Sequence, residues 1–151
     1  MKSIEELKAR LNSLETEFKQ LDAKYLVLQS KFKEFHSHCK IQINNPIFGV
    51  TRLKIEEIEN EFFNIKFAGL TVCIKFSIFL AKESILKGSL IFQIVNHAHN
   101  KNNKVVAQLT FDDSGKSDLI GYEHYPLNIT NDKDAIEIIL KWLERCMFML
   151  K

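Results

Sequence analysis

Proline and glycine are scarce in this chain, which has two Pro and five Gly among its 151 residues. The stretch from Ile4 to Phe32 contains neither, so nothing in it breaks a helix. Apart from the heptad pattern described below, the chain also lacks an internal repeat, and it has no Pro/Ser-rich linker. Because 46% of the residues are hydrophobic, we expect one globular domain with an appended segment.

Long uncharged apolar runs are missing as well. The most apolar region extends from Leu70 to Val95, and charged residues interrupt it at four positions. These are Lys75, Lys82, Glu83 and Lys87. A membrane-spanning helix needs about 18 consecutive apolar residues, so we expect no membrane span. Met1 leads directly into charged helical sequence, and no signal peptide is expected either.

Cysteine content and net charge are both low. The three cysteines, Cys39, Cys73 and Cys146, are odd in number and widely spaced. Such a set is typical of free thiols in a reducing compartment rather than of a disulfide framework, so we expect a cytoplasmic protein. The formal net charge of +2 lacks the strongly basic character of a dedicated nucleic-acid binder, and no nucleic-acid partner is expected.

The most regular pattern in the sequence is a heptad repeat near the N-terminus, in which apolar residues recur at alternating gaps of three and four over five heptads. We call these ten residues the seam. Its a positions are Ile4, Leu11, Phe18, Tyr25 and Phe32, and its d positions are Leu7, Leu14, Leu21, Leu28 and Phe35. A mean spacing of 3.5 residues predicts a coiled-coil helix that packs against a partner helix. Ser3 and Glu6 form a capping pair at its start.

The sequence leaves the partner of the seam open. We prefer a coiled-coil oligomer, and the alternative is a helix that lies along its own domain. Residues 4 to 21 show only the narrow seam, which favours another helix as the partner. Leu26 and Val27 then add apolar surface, so the second half could also face its own sheet. A homodimer ranks first because two-fold symmetry is commonest, but the aromatic a positions leave room for a trimer, an antiparallel pair or a different chain.

Beyond the seam, the apolar period changes to two, which predicts strands between Thr51 and Tyr125. The first strand is expected over Thr51–Ile58 and the last over Leu119–Tyr125. A stripe with helical spacing follows from Ile136 to Leu150 and predicts a largely buried C-terminal helix. The predicted fold is α+β, with a coiled-coil helix at 1–38 and a globular head at 39–151. In the head, the C-terminal helix packs on one face of an antiparallel meander of five to six strands.

The other face of the predicted sheet mixes apolar and polar side chains, and we predict that it binds a protein partner. The candidate residues are Phe62, Lys66, Lys75, Phe79, Ile91, Gln93 and Val95. Exposed apolar residues rimmed by polar ones are typical of interfaces. An equally supported alternative is that the Leu26 and Val27 side of the first helix covers this face.

Two histidine clusters are the sharpest candidates for metal chemistry. They comprise His36, His38 and Cys39 in the first cluster, and His97 and His99 in the second. Imidazole and thiolate are zinc ligands, but the two clusters would have to meet in space to complete a site. Their spacings match no standard zinc-finger pattern. We therefore expect no metal, no cofactor and no catalytic residues.

Together these patterns predict a non-enzymatic protein–protein interaction protein, such as an adaptor, a chaperone or a stoichiometric inhibitor. It would oligomerise through the N-terminal coiled coil and present the α+β head to a protein partner. The alternative is a small metal-binding protein or hydrolase that uses the two histidine clusters. In outline, a coiled-coil stalk with such a head is similar to some kinetochore proteins, and several secretion chaperones also combine a small sheet with flanking helices. Both similarities are of architecture alone.

Overall fold

Two long helices and seven strands form an α+β fold in the computed structural model of the protein, which describes residues 3–95 and 104–150. The helices are α1 (Ile4–Ile43) and α2 (Asp132–Leu150). The strands are β1 (Lys54–Ile55), β2 (Phe62–Phe67), β3 (Leu70–Leu80), β4 (Leu86–Val95), β5 (Lys104–Phe111), β6 (Lys116–Ile120) and β7 (Pro126–Asn128). The α+β prediction is confirmed.

Helix α1 begins at the predicted capping residue, where the backbone N–H of Glu6 donates to Oγ of Ser3 over 3.2 Å. It ends at Ile43 rather than near residue 38, because Cys39 and Ile43 continue its buried stripe and Pro46 follows only later. The division between helix and head at residue 38 stays a prediction, but α1 already enters the core at Leu28. Over the described residues, neither helix combines the length and apolarity that a bilayer crossing requires.

The sheet is an antiparallel meander in which each strand pairs with the next along the chain. Its longest ladder joins β3 to β4, and Ala68 and Gly69 form the tight turn between β2 and β3 with positive φ angles of 50° and 74°. Over residues 3–95 and 104–150 the meander has seven strands rather than five to six. The first predicted strand shrinks to Lys54–Ile55. Of the segment predicted as Leu119–Tyr125, only Leu119 and Ile120 lie in a strand, where they end β6, and the rest precedes β7 without being part of it. Pro126 starts β7, which lies at the sheet edge where a missing N–H is tolerated.

Both helices pack on the same face of the sheet and share one core. Phe32 of α1 stacks on Phe63 and Phe76, with ring centroids 5.8 and 5.4 Å apart. Trp142 of α2 lies 5.4 Å from Phe92. Because burial of an aromatic side chain contributes about 1.5–3 kcal/mol, these contacts attach the second half of α1 firmly to the head.

The far side of α2 corrects the prediction of a largely buried helix. Its inner side is buried through Ile138, Ile139 and Trp142, whereas Phe148 remains 80% exposed. Leu140, Met147 and Leu150 are exposed as well. Asn131 caps this helix, since its Oδ1 accepts from the N–H of Asp134 over 3.0 Å. One side of α2 thus covers the sheet, and the other side presents apolar residues outward.

Candidate interaction surfaces

The seam of α1 is divided into an exposed half and a buried half. The first six residues form what we call the exposed seam, and their side chains are between 42% and 71% exposed. They are Ile4, Leu7, Leu11, Leu14, Phe18 and Leu21. Tyr25 is half-buried, and the last three seam residues, Leu28, Phe32 and Phe35, lie in the core of the head. Among the residues that the structure describes, the second half of the repeat is therefore the half that is buried in the core of the head.

Tyr25 marks the point where the seam enters the head. Its hydroxyl donates to Oε1 of Glu61, and Nε2 of Gln29 donates to the Tyr25 hydroxyl over 3.3 Å. Its ring centroid lies 6.0 Å from that of Phe76. These contacts orient α1 at the edge of the head. In the part of the helix before Tyr25, the apolar seam residues are exposed to solvent.

The sheet face opposite the helices is the second candidate surface, which we call the open face. Five of the seven predicted residues line one groove of about 450 Å³ together with Asn64, Thr71 and Cys73. These five are Phe62, Lys66, Lys75, Gln93 and Val95. Strand register brings them together, since Phe62 pairs with Lys75. Ile91 pairs with Lys75 from the other side, and Phe79 lies further along β3 opposite Lys87.

Helix α1 does not cover the open face. Leu26 and Val27 are 53% and 44% exposed, and α1 instead packs through Leu28 and Phe32 on the opposite face of the sheet. The alternative in which Leu26 and Val27 cover the candidate residues is therefore wrong. The physical reason is that Leu28 and Phe32 continue the seam itself, so the seam rather than its flank meets the sheet.

The open face combines apolar side chains with positive charge. Phe62, Ile91 and Val95 are half-buried, while Lys66 and Lys75 are exposed. Nζ of Lys66 lies 3.5 Å from Oε1 of Glu56, and Lys75 forms no salt bridge within the described residues. Such a groove can accept an apolar segment and attract negative charge beside it.

The first histidine cluster is engaged in contacts of the fold. Nε2 of His36 lies 2.9 Å from the carbonyl oxygen of Glu56, and its ring packs edge-on against Phe63 at 4.7 Å. Burial lowers the pKa of His36, although the hydrogen bond to Glu56 opposes this effect. Nδ1 of His38 pairs with Asp132 at the start of α2. Burial raises the pKa of the Cys39 thiol well above its ordinary value.

The second histidine cluster, His97 and His99, lies outside the described residues. Over 3–95 and 104–150, no group of three or more His, Cys, Asp or Glu side chains is arranged to hold a metal ion. The three cysteines are unpaired and buried. His36 and His38 thus have partners on other elements, and Cys39 lies in the core of the head.

An apolar groove that the sequence reasoning missed lies between the end of α1 and α2. It has a volume of about 310 Å³ and includes Ile43, Leu53 and Leu140 in its lining. Its signal in the sequence is the width of the apolar stripe on α2, which is too broad for a single sheet contact. This groove and the open face lie on opposite sides of the head, because α2 packs on the helix-covered face of the sheet.

No protein-family model, curated protein or solved structure matches the chain. The function is therefore inferred from the two candidate surfaces and from the chemistry of their residues.

Proposed function

We propose that this protein is a non-enzymatic interaction protein that assembles through the exposed seam and binds another protein with the open face of its head. The observation that carries the proposal is the exposure of six seam residues on a helix whose second half is anchored in the head. Adaptors, chaperones and stoichiometric inhibitors all act in this way, by burying apolar surface against a partner. A reducing compartment such as the cytoplasm suits its three unpaired thiols.

The energetics of the exposed seam support association. Complete burial of a Leu-sized side chain contributes about 1.5–3 kcal/mol. The six residues of the exposed seam are about half exposed, so burying each of them against a partner would contribute about half of that free energy. Six side chains from each of two helices would then contribute roughly 12 kcal/mol. This amount is comparable with the loss of roughly 4–15 kcal/mol on association. We therefore expect an oligomer whose formation depends on protein concentration.

The anchored half of α1 also favours assembly. A free helix of fewer than about 12–15 residues is marginal in water, because the first turn is difficult to nucleate. Here residues 28 to 43 already form a helix on the sheet, so the exposed seam extends an existing helix. The projecting part, residues 4 to 21, spans about 27 Å at 1.5 Å per residue. That length offers six apolar layers to a partner helix.

The open face supports a partner of complementary chemistry. Phe62 and Val95 provide apolar contact in the groove, and Lys66 and Lys75 provide positive charge there. Ile91 adds apolar surface to the open face, where it pairs with Lys75. A partner segment with apolar side chains flanked by Asp or Glu would match both features. The groove lies on the sheet face away from both helices, so assembly through α1 leaves it accessible.

Light scattering of the intact chain over a range of concentrations tests the assembly half of the proposal. We expect a mass of more than one chain for the wild type and a single-chain mass for Leu14→Lys, which places a charge in the exposed seam. Leu26→Lys is the matched control, since Leu26 lies on the same helix outside the seam and is 53% exposed, compared with 42% for Leu14. A wild-type chain that stays monomeric at all concentrations would refute assembly through α1.

A further inference from the structure

We infer that the exposed seam pairs with a second copy of this chain as an antiparallel two-stranded coiled coil centred between Leu11 and Leu14. The inference rests on the proposed function, because it specifies the partner and the orientation of the same seam. Three features carry it: the match of apolar layers, the pairing of charged side chains beside them, and the unfavourable charges in the competing arrangements.

The apolar layers match when Leu11 of one copy faces Leu14 of the other. Because the two chains run in opposite directions, each a residue then faces a d residue. The same register sets Leu7 against Phe18 and Ile4 against Leu21. All six residues of the exposed seam are used in both copies, and none that the head buries is required. Each layer holds at most one aromatic ring, whereas a parallel pair would set Phe18 against Phe18.

Charged residues flank the exposed seam on both sides. Lys8 and Glu15 occupy e positions, and Arg10 and Glu17 occupy g positions. In an antiparallel pair, e faces e and g faces g, so this register sets Lys8 against Glu15 and Arg10 against Glu17. Symmetry doubles each pair, which gives four attractive contacts and no repulsive one. All four side chains are exposed, and none forms a salt bridge within the described part of the chain.

The charges also disfavour other antiparallel registers. A shift of one heptad in one direction sets Lys8 against Lys8 and Arg10 against Arg10. A shift in the other direction sets Glu15 against Glu15 and Glu17 against Glu17. Like charges at these positions are destabilising. The register centred between Leu11 and Leu14 is therefore selected by its charges as well as by its apolar layers.

The parallel arrangement lacks this complementarity. There each g residue faces the e residue of the following heptad. Arg10 would attract Glu15, but Glu17 would repel Asp22, and the two effects cancel. In the antiparallel pair, the positive residues Lys8 and Arg10 of one copy face the negative residues Glu15 and Glu17 of the other. Because the same helix carries both sets, its charges are complementary to those of a second copy of this chain.

Distances between spin labels at two matched positions test the orientation in the full-length protein. Ala9→Cys and Ala23→Cys both introduce a thiol at an exposed f position, and the three native thiols are buried. The antiparallel register offsets the two copies of position 23 by about 31 Å along the axis and those of position 9 by about 10 Å. We therefore expect a clearly longer distance at position 23. Equal distances at the two positions would overturn the antiparallel orientation but leave assembly through the exposed seam intact. If the spin labels show no dipolar coupling and light scattering gives a single-chain mass, both the orientation and the assembly are refuted.

A charge reversal tests the pairing itself through the sign of its effect. Glu17→Lys removes two attractions to Arg10 and replaces them with repulsion, so we expect the dissociation constant of the dimer to rise about tenfold. The double change Arg10→Glu with Glu17→Lys should restore wild-type affinity. Gln20→Lys, on the outer face of the helix, is the control and should change little. In a parallel pair Glu17→Lys would relieve repulsion with Asp22, so tighter association in sedimentation equilibrium would overturn the inference.

Discussion

Leu21 and Leu28 occupy the same d position in successive heptads, yet Leu21 is 46% exposed and Leu28 is 1% exposed. Between them Tyr25 contacts Glu61 and Phe76 at the edge of the head. The same side chain in the same repeat therefore has two different surroundings. Shortening each of these side chains to alanine should therefore have different effects, one on the stability of the head and the other on assembly.

Leu28→Ala should reduce the free energy of unfolding by about 2–5 kcal/mol, because it leaves a cavity beneath α1 in the core. Leu21→Ala should change that free energy by less than about 0.5 kcal/mol in the monomer while weakening assembly. Urea denaturation at low protein concentration measures the first effect, and light scattering at high concentration measures the second. Equal loss of monomer stability in both variants would contradict the division of the seam.

Gly88→Ala should destabilise the sheet by about 1–3 kcal/mol, since an added Cβ at position 88 would lie 2.2 Å from Cζ of Phe111. Gly88 pairs with Phe111 across β4 and β5, and both residues are buried. Thermal or urea unfolding measures the effect. Phe111→Leu replaces the ring with a smaller branched side chain, so the double variant should lose less stability than the two single changes added together. Simple additivity would show that contact with this ring is not the cause.

Acidification should weaken the folded state through His36, whose pKa is lowered from 6.5, chiefly by burial. The unfolded chain therefore takes up a proton at a higher pH than the folded chain does. The stability that the neutral ring provides is fully present above about pH 6.5 and is lost as the pH falls toward the lowered pKa of the folded state.

Urea unfolding at about pH 7.5 and pH 5.5 measures this dependence, with His36→Gln as the test variant. We expect the wild type to lose more stability than His36→Gln between the two pH values. His124→Asn, a change at an exposed position, is the control and should follow the wild type. If His36→Gln retains the full wild-type dependence, other groups cause the loss.

Lys75→Glu should prevent a protein partner from binding to the open face, because it reverses the charge at the centre of the groove. The measurement compares the proteins that the wild type and the variant retain from a cell extract. Leu140→Lys is the control, since Leu140 is exposed on the opposite side of the head. Partners that Lys75→Glu retains and Leu140→Lys loses would assign binding to the groove beside α2 instead.

The strands that the sequence predicts best are those with several alternations of polarity. β3 and β4 have eleven and ten residues. Within them, apolar residues recur at every second position and are buried: Val72, Ile74 and Phe76 in β3, and Leu90, Phe92 and Ile94 in β4. β1 and β7 have two and three residues, which is too short for a period to be recognised. Their pairing depends on neighbouring strands rather than on a local pattern.

The open face was predictable residue by residue but not as a groove. Alternation alone places Phe62, Lys75 and Gln93 on the outward side of their strands. Their proximity follows from the registers between β2, β3 and β4, and these are contacts across the sheet. The exposed side of α2 was not recognised, because helical spacing shows which residues are apolar and not how many sides are covered.

The sequence by itself determined that one uninterrupted helix carries an apolar seam from Ile4 to Phe35, with opposite charges beside its first half. Only the tertiary structure decided that the head takes over this seam at Tyr25 and leaves the residues before it exposed. The physical reason is that a heptad repeat specifies an apolar stripe but not what covers it. Here Phe63 and Phe76 of the sheet cover Phe32, and the sheet ends before it reaches Leu21.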